Sequence, residues 1–161
     1  MPESPDPGAV AVVSALVQLG LTVATGESLT AGLVAATLAQ VPGCSAVLRG
    51  GVVAYQRDVK GSLLHVPEAA LGQGLVSEAV AAAMARGARE SLVADVGIAT
   101  TGVAGPEPHD GQPVGSTWIA VALVDGVATR HLALAGTRQE IRCQTVAACF
   151  DLVLETLPAV N

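Results

Sequence analysis

Residues 21–32 read LTVATGESLTAG and pass from a strand pattern into a helix pattern. The first half is apolar with β-branched residues, which is typical of a buried strand, and the pattern breaks at Gly26. An alanine-rich helical pattern begins at Thr30. A strand that runs directly into a helix directs free backbone N–H groups into the crevice beyond the strand end. Ser28 lies at this junction, where its hydroxyl either caps the helix or attacks a substrate.

The composition favours one α/β domain with a core of small aliphatic side chains. The 161 residues are 51% hydrophobic but only 2% aromatic, as in a Val-rich parallel sheet covered by Ala-rich helices. We expect residues 1–8 to be a disordered lead without a signal-peptide pattern, and residues 9–161 to form a single domain. No apolar run reaches the ~18 residues that suggest a membrane span.

Charge and residue types limit the classes of partner. The net charge is −6 and only three residues are aromatic, which argues against a nucleic-acid surface. The three histidines are scattered without metal-ligand spacing, and no glycine-rich nucleotide loop follows a strand, so we predict no metal and no cofactor. We expect a cytoplasmic protein that has no membrane partner and binds a small molecule.

The order of elements predicts a three-layer α/β/α sandwich. Three strands separated by helices should run parallel, with right-handed crossovers. The fourth strand follows a loop without a helix and pairs with the fifth through the turn at Asp125-Gly126. Strand four is therefore predicted to be the one antiparallel member of a mixed five-stranded sheet. The predicted helices are 9–19, 30–40, 77–92 and 137–157, and the predicted strands are 22–25, part of 46–55, 96–100, 118–124 and 127–134.

Polar residues follow the three parallel strands, where open α/β sheets bind ligands. Ser28, Tyr55 with Lys60, and Thr101 should share one rim. A neutral lysine amine can take the proton of a serine hydroxyl, provided that burial or nearby positive charge lowers the lysine pKa from ~10.4. The alternatives remain open, since a serine at such a turn often caps a helix, a lone lysine is often a solvated charge, and a lone tyrosine is often a core residue.

Two further positions are candidates for the site. Ser45 is a second hydroxyl, but it begins strand two and should lie at the edge opposite Tyr55, unless a second subunit or a bend brings it back. Arg142 lies in the first turns of the last helix, where a cation is unfavourable for the helix dipole, which hints at an anionic partner such as Glu140 or a ligand phosphate. Arg138 is the competing candidate.

At these residues the chain resembles the CinA C-terminal domain family, which includes nicotinamide-nucleotide amidases. The resemblance runs from about Ala9 to Leu157. It depends on five motifs in the same order, none of them specific alone: Glu27-Ser28-Leu29-Thr30-Ala31-Gly32, Gly50 to Lys60, Thr101 to Pro106, Pro113-Val114-Gly115 before Trp118, and Gly136 to Arg142.

The resemblance implies hydrolysis of the carboxamide of nicotinamide mononucleotide to nicotinate mononucleotide and ammonia, by a metal-independent Ser/Lys dyad in an oligomer. By motif position, Ser28, Ser45, Tyr55 and Lys60 fall on family active-site positions, and Ser28 is favoured over Ser45 as nucleophile on topology. Substrate binding is assigned to the following residues: Glu27, Thr30, Thr101, Gly102 and Arg142.

Two departures from the family pattern keep a second function in view. Ala31 replaces a usual glycine, and Gln56-Arg57 replaces the common Ser-Asn after the tyrosine. The alternative is a nucleotide- or partner-binding domain of the same fold without the chemistry. The loop 105–112 is a candidate lid over either kind of site.

Overall fold

A computed structural model describes residues 4–160 of the chain. Helices and strands alternate through most of the described range, with a short 3-10 helix, Cys44–Ala46, before the second strand. The helices are α1 (Pro7–Leu19), α2 (Leu33–Ala39), α3 (Arg57–Leu64), α4 (Glu68–Leu71), α5 (Glu78–Ser91) and α6 (Arg138–Thr156). The strands are β1 (Val23–Glu27), β2 (Leu48–Val53), β3 (Val96–Gly102), β4 (Ser116–Leu123) and β5 (Gly126–Ala133).

The strands form one mixed sheet in the order β2-β1-β3-β4-β5. Strands β2, β1 and β3 are parallel, and β4 runs antiparallel to both of its neighbours, β3 and β5. This confirms the predicted five-stranded sheet in which strand four is the antiparallel member. The inner strands β1, β3 and β4 are almost fully buried, whereas the edge strands β2 and β5 are partly exposed.

Helices cover both faces of the sheet, so the predicted three-layer sandwich is also confirmed. Helices α1, α2 and α6 pack on one face around Phe150, Leu16 and Ile119. Helices α3, α4 and α5 pack on the other face, where the core contains Met84 and many alanines. The site-bearing strand ends lie between these two helical layers.

Small residues allow α5 to approach its neighbours closely. A Cβ at Gly97 of β3 would lie 2.0 Å from the carbonyl oxygen of Ala85 on α5. A Cβ at Gly87 of α5 would lie 1.8 Å from the carbonyl oxygen of Leu64, the last residue of α3. Side chains larger than hydrogen cannot occupy these two contacts, so glycine sets the spacing of β3, α5 and α3. This spacing explains how the chain fills its core with so few aromatic side chains.

The first helix begins earlier than the sequence predicts. Helix α1 begins at Pro7, so residues 7 and 8 are helical, and the predicted disordered lead of residues 1–8 is wrong at this end. The Asp6 side chain caps the helix by accepting the N–H of Ala9 at 2.9 Å, and proline suits the first helical turn because its missing N–H needs no partner there. Residues 1–3 and 161 lie outside the described range.

Two other elements differ from the sequence prediction. Helix α2 begins at Leu33, three residues later than predicted, because Ala31 and Gly32 have left-handed backbone angles, with φ of 49° and 93°. Residues 57–64, whose pattern is short and mixed, form helix α3, which buries Lys60 and Leu64 one turn apart on the same face. Within residues 4–160, no helix is both long and apolar enough to cross a membrane.

Replacing Gly87 by alanine should destabilise the fold. The new methyl group would overlap the Leu64 carbonyl, and relieving such an overlap costs about 3 kcal/mol of unfolding free energy. Urea denaturation of Gly87→Ala beside wild type measures this loss.

Gly61→Ala is the matched control, because its Cβ would meet only ordinary contacts at 3.7 Å or more within a helix. That change should leave stability unchanged or raise it by up to about 1 kcal/mol. Equal stability of Gly87→Ala and Gly61→Ala would contradict the close packing of α3 on α5.

Candidate active site

A cavity opens at the carboxyl ends of the three parallel strands. Its volume is about 250 Å³, and it is lined in part by the predicted rim residues. Ser28 directly follows β1, Tyr55 lies two residues beyond β2, and Thr101 and Gly102 end β3. Lys60 reaches the same cavity from α3. The fold therefore brings together five predicted site residues: Ser28, Tyr55, Lys60, Thr101 and Gly102.

A polar contact in the cavity joins Ser28 and Lys60. The Lys60 Nζ lies 2.9 Å from the Ser28 Oγ, although the two residues are 32 positions apart in the chain. The same amine donates to the carbonyl oxygens of Ala54, at 2.7 Å, and Tyr55, at 3.1 Å. Lys60 is only 1% exposed. A buried lysine with three fixed partners is held in one position and is not a solvated surface charge.

The environment of Lys60 favours its neutral form. Burial lowers the pKa of Lys60 to about 8, since a charged amine loses hydration there. The ion pairs among residues 4–160 are Arg57–Glu68 and Arg130–Glu155, so no carboxylate in this range pairs with the amine. A neutral amine has two N–H donors and one lone pair. With both N–H groups on the carbonyls of Ala54 and Tyr55, the lone pair remains for the Ser28 hydroxyl.

The turn after β1 positions Ser28 beside the cavity. The Ser28 N–H donates to the carbonyl oxygen of Thr100 on β3 at 3.0 Å, and the Ser28 carbonyl accepts the Ala31 N–H at 3.0 Å. The turn closes through the left-handed conformation of Ala31 and Gly32. Glycine adopts this conformation without strain, whereas alanine pays about 1 kcal/mol, which gives a physical reason for the family's usual glycine at position 31.

Glu27 lies beneath this turn and does not line the cavity. Its carboxylate is 1% exposed and accepts the N–H groups of Val34, at 2.8 Å, and Ala35, at 3.1 Å, at the start of α2. It also accepts the hydroxyls of Thr25 and Thr30, at 3.0 and 2.7 Å. Glu27 is therefore the cap of α2, and the predicted substrate contact by Glu27 is not supported.

Thr30 belongs to the same buried network. It is fully buried, and its hydroxyl lies 2.7 Å from the Glu27 carboxylate and 2.8 Å from the Thr100 hydroxyl. It has no exposed surface with which to meet a substrate. The structure thus places Glu27 and Thr30 in support of the turn, where the sequence assigned them to substrate binding.

Ser45 lies at the amino end of the parallel strands, whereas Lys60 lies at their carboxyl end. It is exposed on the 3-10 helix that precedes β2, whereas the cavity lies beyond the far end of β2. This placement agrees with the strand-order prediction. Within one chain Ser45 is not part of the cavity, so the geometry favours Ser28 of the two candidate nucleophiles.

Of the two arginines at the start of α6, Arg138 lines the cavity and Arg142, the residue predicted to bind substrate, does not. Arg142 donates to the carbonyl oxygens of Leu29, at 3.0 Å, and Thr30, at 2.9 Å, and so holds the turn after Ser28 from behind. Arg138 instead lines the cavity, where it donates to the Gly105 carbonyl at 2.6 Å and to the Tyr55 hydroxyl at 2.8 Å. In place of the expected anionic partner, Arg142 therefore binds two backbone carbonyls and, at 2.8 Å, the side-chain oxygen of Gln139.

Leu29, the residue after Ser28, is a further residue of the cavity wall. The Leu29 N–H makes no hydrogen bond within residues 4–160. The N–H groups of Val34 and Ala35 at the start of α2 are occupied by the Glu27 carboxylate. The N–H of the residue after a nucleophile is a common donor to a developing oxyanion.

The remaining walls come from two loops whose roles the sequence does not reveal. Leu75 and Val76, between α4 and α5, form part of an apolar wall, and Glu107 and His109 reach the cavity from the loop 105–112. No local pattern marks Leu75 or Val76 as site residues, since a short apolar pair also suits a core position. Residues of the loop 105–112 therefore form part of the cavity wall, and its role as a lid stays a prediction.

Comparison with known proteins identifies the family to which this chain belongs. The family model of the CinA C-terminal domain matches residues 6–157. A crystal structure of the competence/damage inducible protein CihA from Agrobacterium tumefaciens superposes with a TM-score of 0.90 at 33% identity, covering 96% of this chain and 98% of that one. A CinA superfamily protein from Escherichia coli gives a TM-score of 0.91 at 31% identity, covering 96% and 91%.

One curated relative is more similar in sequence to this chain than these two structures are, but it is a longer protein. The CinA-like protein of Frankia casuarinae is 48% identical over 147 residues, which are 91% of this chain and 34% of that protein. The chain spans about a third of the length of the curated relatives it matches. On the family match and the structural likeness together, this chain belongs to the CinA C-terminal domain family.

Replacing Glu27 by glutamine should destabilise the turn that carries Ser28. The glutamine NH₂ cannot accept the N–H and hydroxyl donors that one carboxylate oxygen now accepts, which leaves buried donors unpaired at a cost of about 2 kcal/mol. Thermal unfolding of Glu27→Gln measures the loss.

Glu90→Gln, at an exposed position on α5, provides the matched control for this substitution. Its melting temperature should equal that of wild type. Equal melting temperatures for Glu27→Gln and Glu90→Gln would show that the buried carboxylate does not hold the turn.

Proposed function

We propose that the chain is an amidohydrolase that converts nicotinamide mononucleotide and water to nicotinate mononucleotide and ammonia. The observation that carries this proposal is the contact of 2.9 Å between the Ser28 Oγ and the buried Lys60 Nζ. Family membership supports it, because the CinA C-terminal domain family resembled by the sequence includes such amidases. The names of the relatives, which refer to competence and damage induction, assign no reaction.

Acylation uses the neutral amine of Lys60 as the base. The Ser28 Oγ forms a bond to the carboxamide carbon while its proton passes to the Lys60 Nζ. The carbonyl oxygen gains negative charge and accepts the free N–H of Leu29. Protonated Lys60 then gives its proton to the leaving nitrogen, the C–N bond breaks, and ammonia departs from a Ser28 ester.

Deacylation repeats the same proton transfers with water as nucleophile. Neutral Lys60 takes a proton from water, the water oxygen bonds to the ester carbon, and the returned proton restores the Ser28 hydroxyl as nicotinate mononucleotide leaves. The carbonyls of Ala54 and Tyr55 hold the amine throughout, so it can gain and lose a proton twice without moving far. The steps need no group beyond water and this chain.

The far end of the nucleotide requires a cation, and Arg138 supplies it. A guanidinium has five N–H donors, of which two are used by the Gly105 carbonyl and the Tyr55 hydroxyl. Three donors remain for a phosphate, so Arg138 binds it without releasing its protein partners. Tyr55 then contributes to phosphate binding by holding the guanidinium of Arg138 in place.

The pyridine end of the nucleotide meets the other walls of the cavity. Thr101 and Gly102 line the wall that faces the substrate, and the pyridine ring meets the apolar residues of the cavity. Assembly into a homo-oligomer and a cytoplasmic location remain parts of the proposal.

Removing either member of the dyad should abolish ammonia release. Ser28→Ala removes the nucleophile, and Lys60→Met keeps a stem of similar length without the base, so each should lower kcat by at least about 10³-fold. Ser45→Ala is the control, because Ser45 lies at the other end of the parallel strands, and this variant should retain wild-type kcat. Ammonia release from nicotinamide mononucleotide is the assay.

The dyad experiment has two other possible results. If ammonia release is lost in Ser45→Ala but not in Ser28→Ala, the nucleophile is Ser45, supplied to the cavity by a second subunit. Binding of the nucleotide by wild type without any ammonia release would leave a binding domain. Either result contradicts the mechanism above.

The reaction should follow the titration of Lys60. The base is the neutral amine, whose fraction rises with pH and reaches one half at the Lys60 pKa of about 8. We therefore expect kcat/KM to rise about tenfold per pH unit below that value and to level off above it. Rates measured between about pH 6.5 and 9.5 test this.

A profile that is flat over this pH range, or one that falls as pH rises, would exclude neutral Lys60 as the base. A circular dichroism spectrum of wild type that stays constant over the same pH range excludes a general effect of pH on folding.

A further inference from the structure

The loop 105–112 is fastened at its tip by one carboxylate. The Asp110 Oδ2 accepts the backbone N–H groups of Leu75 and, at 3.2 Å, Val76, which lie 35 and 34 positions earlier in the chain. Gly74 makes room for this contact, because a Cβ there would lie 3.1 Å from the same oxygen. Asp110 therefore clamps the tip of the loop to the segment 74–76.

The clamped segment is also held from its other side. The Thr101 hydroxyl donates to the Leu75 carbonyl at 2.7 Å, so both backbone groups of Leu75 are bound, one by β3 and one by the loop 105–112. Leu75 and Val76 line the cavity, and so do Glu107 and His109 of the loop. The Asp110 contact thus connects two walls of the cavity that otherwise come from separate loops.

The other attachments of the loop lie at its two ends. Arg138 binds the Gly105 carbonyl at the start of the loop. At its end the Ser116 hydroxyl donates to the Gln112 side-chain oxygen at 3.2 Å and lies 2.9 Å from His131 Nε2. Neither attachment touches the segment 74–76. Among the side-chain hydrogen bonds of residues 4–160, only those of Asp110 join the middle of the loop to the wall formed by Leu75 and Val76.

We propose that Asp110 is a positioning residue for substrate: its carboxylate sets the distance between the loop 105–112 and the Leu75–Val76 wall, and so pre-forms the slot for the pyridine nucleotide. This inference rests on the proposed function. The clamp makes no hydrogen bond to Ser28 or Lys60, because the Lys60 amine bonds to Ser28 and to the carbonyls of Ala54 and Tyr55. Losing it lowers the fraction of protein with a formed slot, which weakens apparent binding by that fraction and leaves the chemical step intact.

The test compares three single variants in the ammonia assay. Asp110→Ala removes the acceptor and should raise KM about tenfold with kcat within about twofold of wild type. Asp110→Asn keeps one carbonyl oxygen that can accept both N–H groups, and should restore most of the loss. Asp151→Ala, an exposed aspartate on α6, is the control and should match wild type. A merely structural role would lower the amount of folded enzyme, hence the apparent kcat, and leave KM unchanged.

A binding measurement separates this inference from the proposed function. Calorimetry with nicotinamide mononucleotide on Ser28→Ala, with and without Asp110→Ala, reports the slot without any reaction. Binding that is about tenfold weaker in the double variant supports the clamp, whether or not wild type releases ammonia. Absence of ammonia release by wild type contradicts only the proposed amidase activity.

Two results overturn the role of Asp110. One is equal KM and equal binding with and without Asp110→Ala, and the other is absence of nucleotide binding by Ser28→Ala. If Asp110→Ala does not fold, Asp110→Asn carries the test, with an expected KM increase of about threefold because a neutral acceptor is weaker than a carboxylate. A KM equal to that of wild type in Asp110→Asn would then count against the clamp.

Discussion

The amine of Lys60 is the group on which the architecture of the site depends. A lysine that is 1% exposed is costly unless it is neutral or its N–H groups are bonded, and here two carbonyls and one hydroxyl surround it. The carbonyls come from Ala54 and Tyr55, just beyond β2, and the hydroxyl comes from Ser28, just beyond β1. Burial that lowers the pKa to about 8 also makes the amine a base near neutral pH.

Close packing of small residues is what brings Lys60 to that position. Lys60 lies on the short helix α3, whose last carbonyl, that of Leu64, rests on Gly87 of α5. Helix α5 in turn lies against Gly97 of β3. Larger side chains at these contacts would move α3 away from the sheet, and the Lys60 amine with it.

The junction of β1 and α2 separates structural support from chemistry. A serine at such a junction can cap the helix, and capping would occupy its oxygen. Here Glu27 caps α2 with a buried carboxylate, and Arg142 holds the carbonyls of Leu29 and Thr30. These two residues bind the N–H groups at the start of α2 and the carbonyls of Leu29 and Thr30, which leaves the Ser28 hydroxyl for Lys60. Glu27 and Arg142 therefore support the site without lining it.

The sequence by itself determined the order of the elements, the mixed sheet with β4 antiparallel, and the shared edge of Ser28, Tyr55, Lys60 and Thr101. Those features follow from local periodicity, turn residues and the rules of strand connection, which act over short stretches of chain. It did not determine that α3 is a helix, which arginine faces the cavity, or that Glu27 and Thr30 are buried. Tertiary structure decided these points because each depends on contacts between distant residues, such as Arg142 with Leu29 across 113 positions, which no local pattern records.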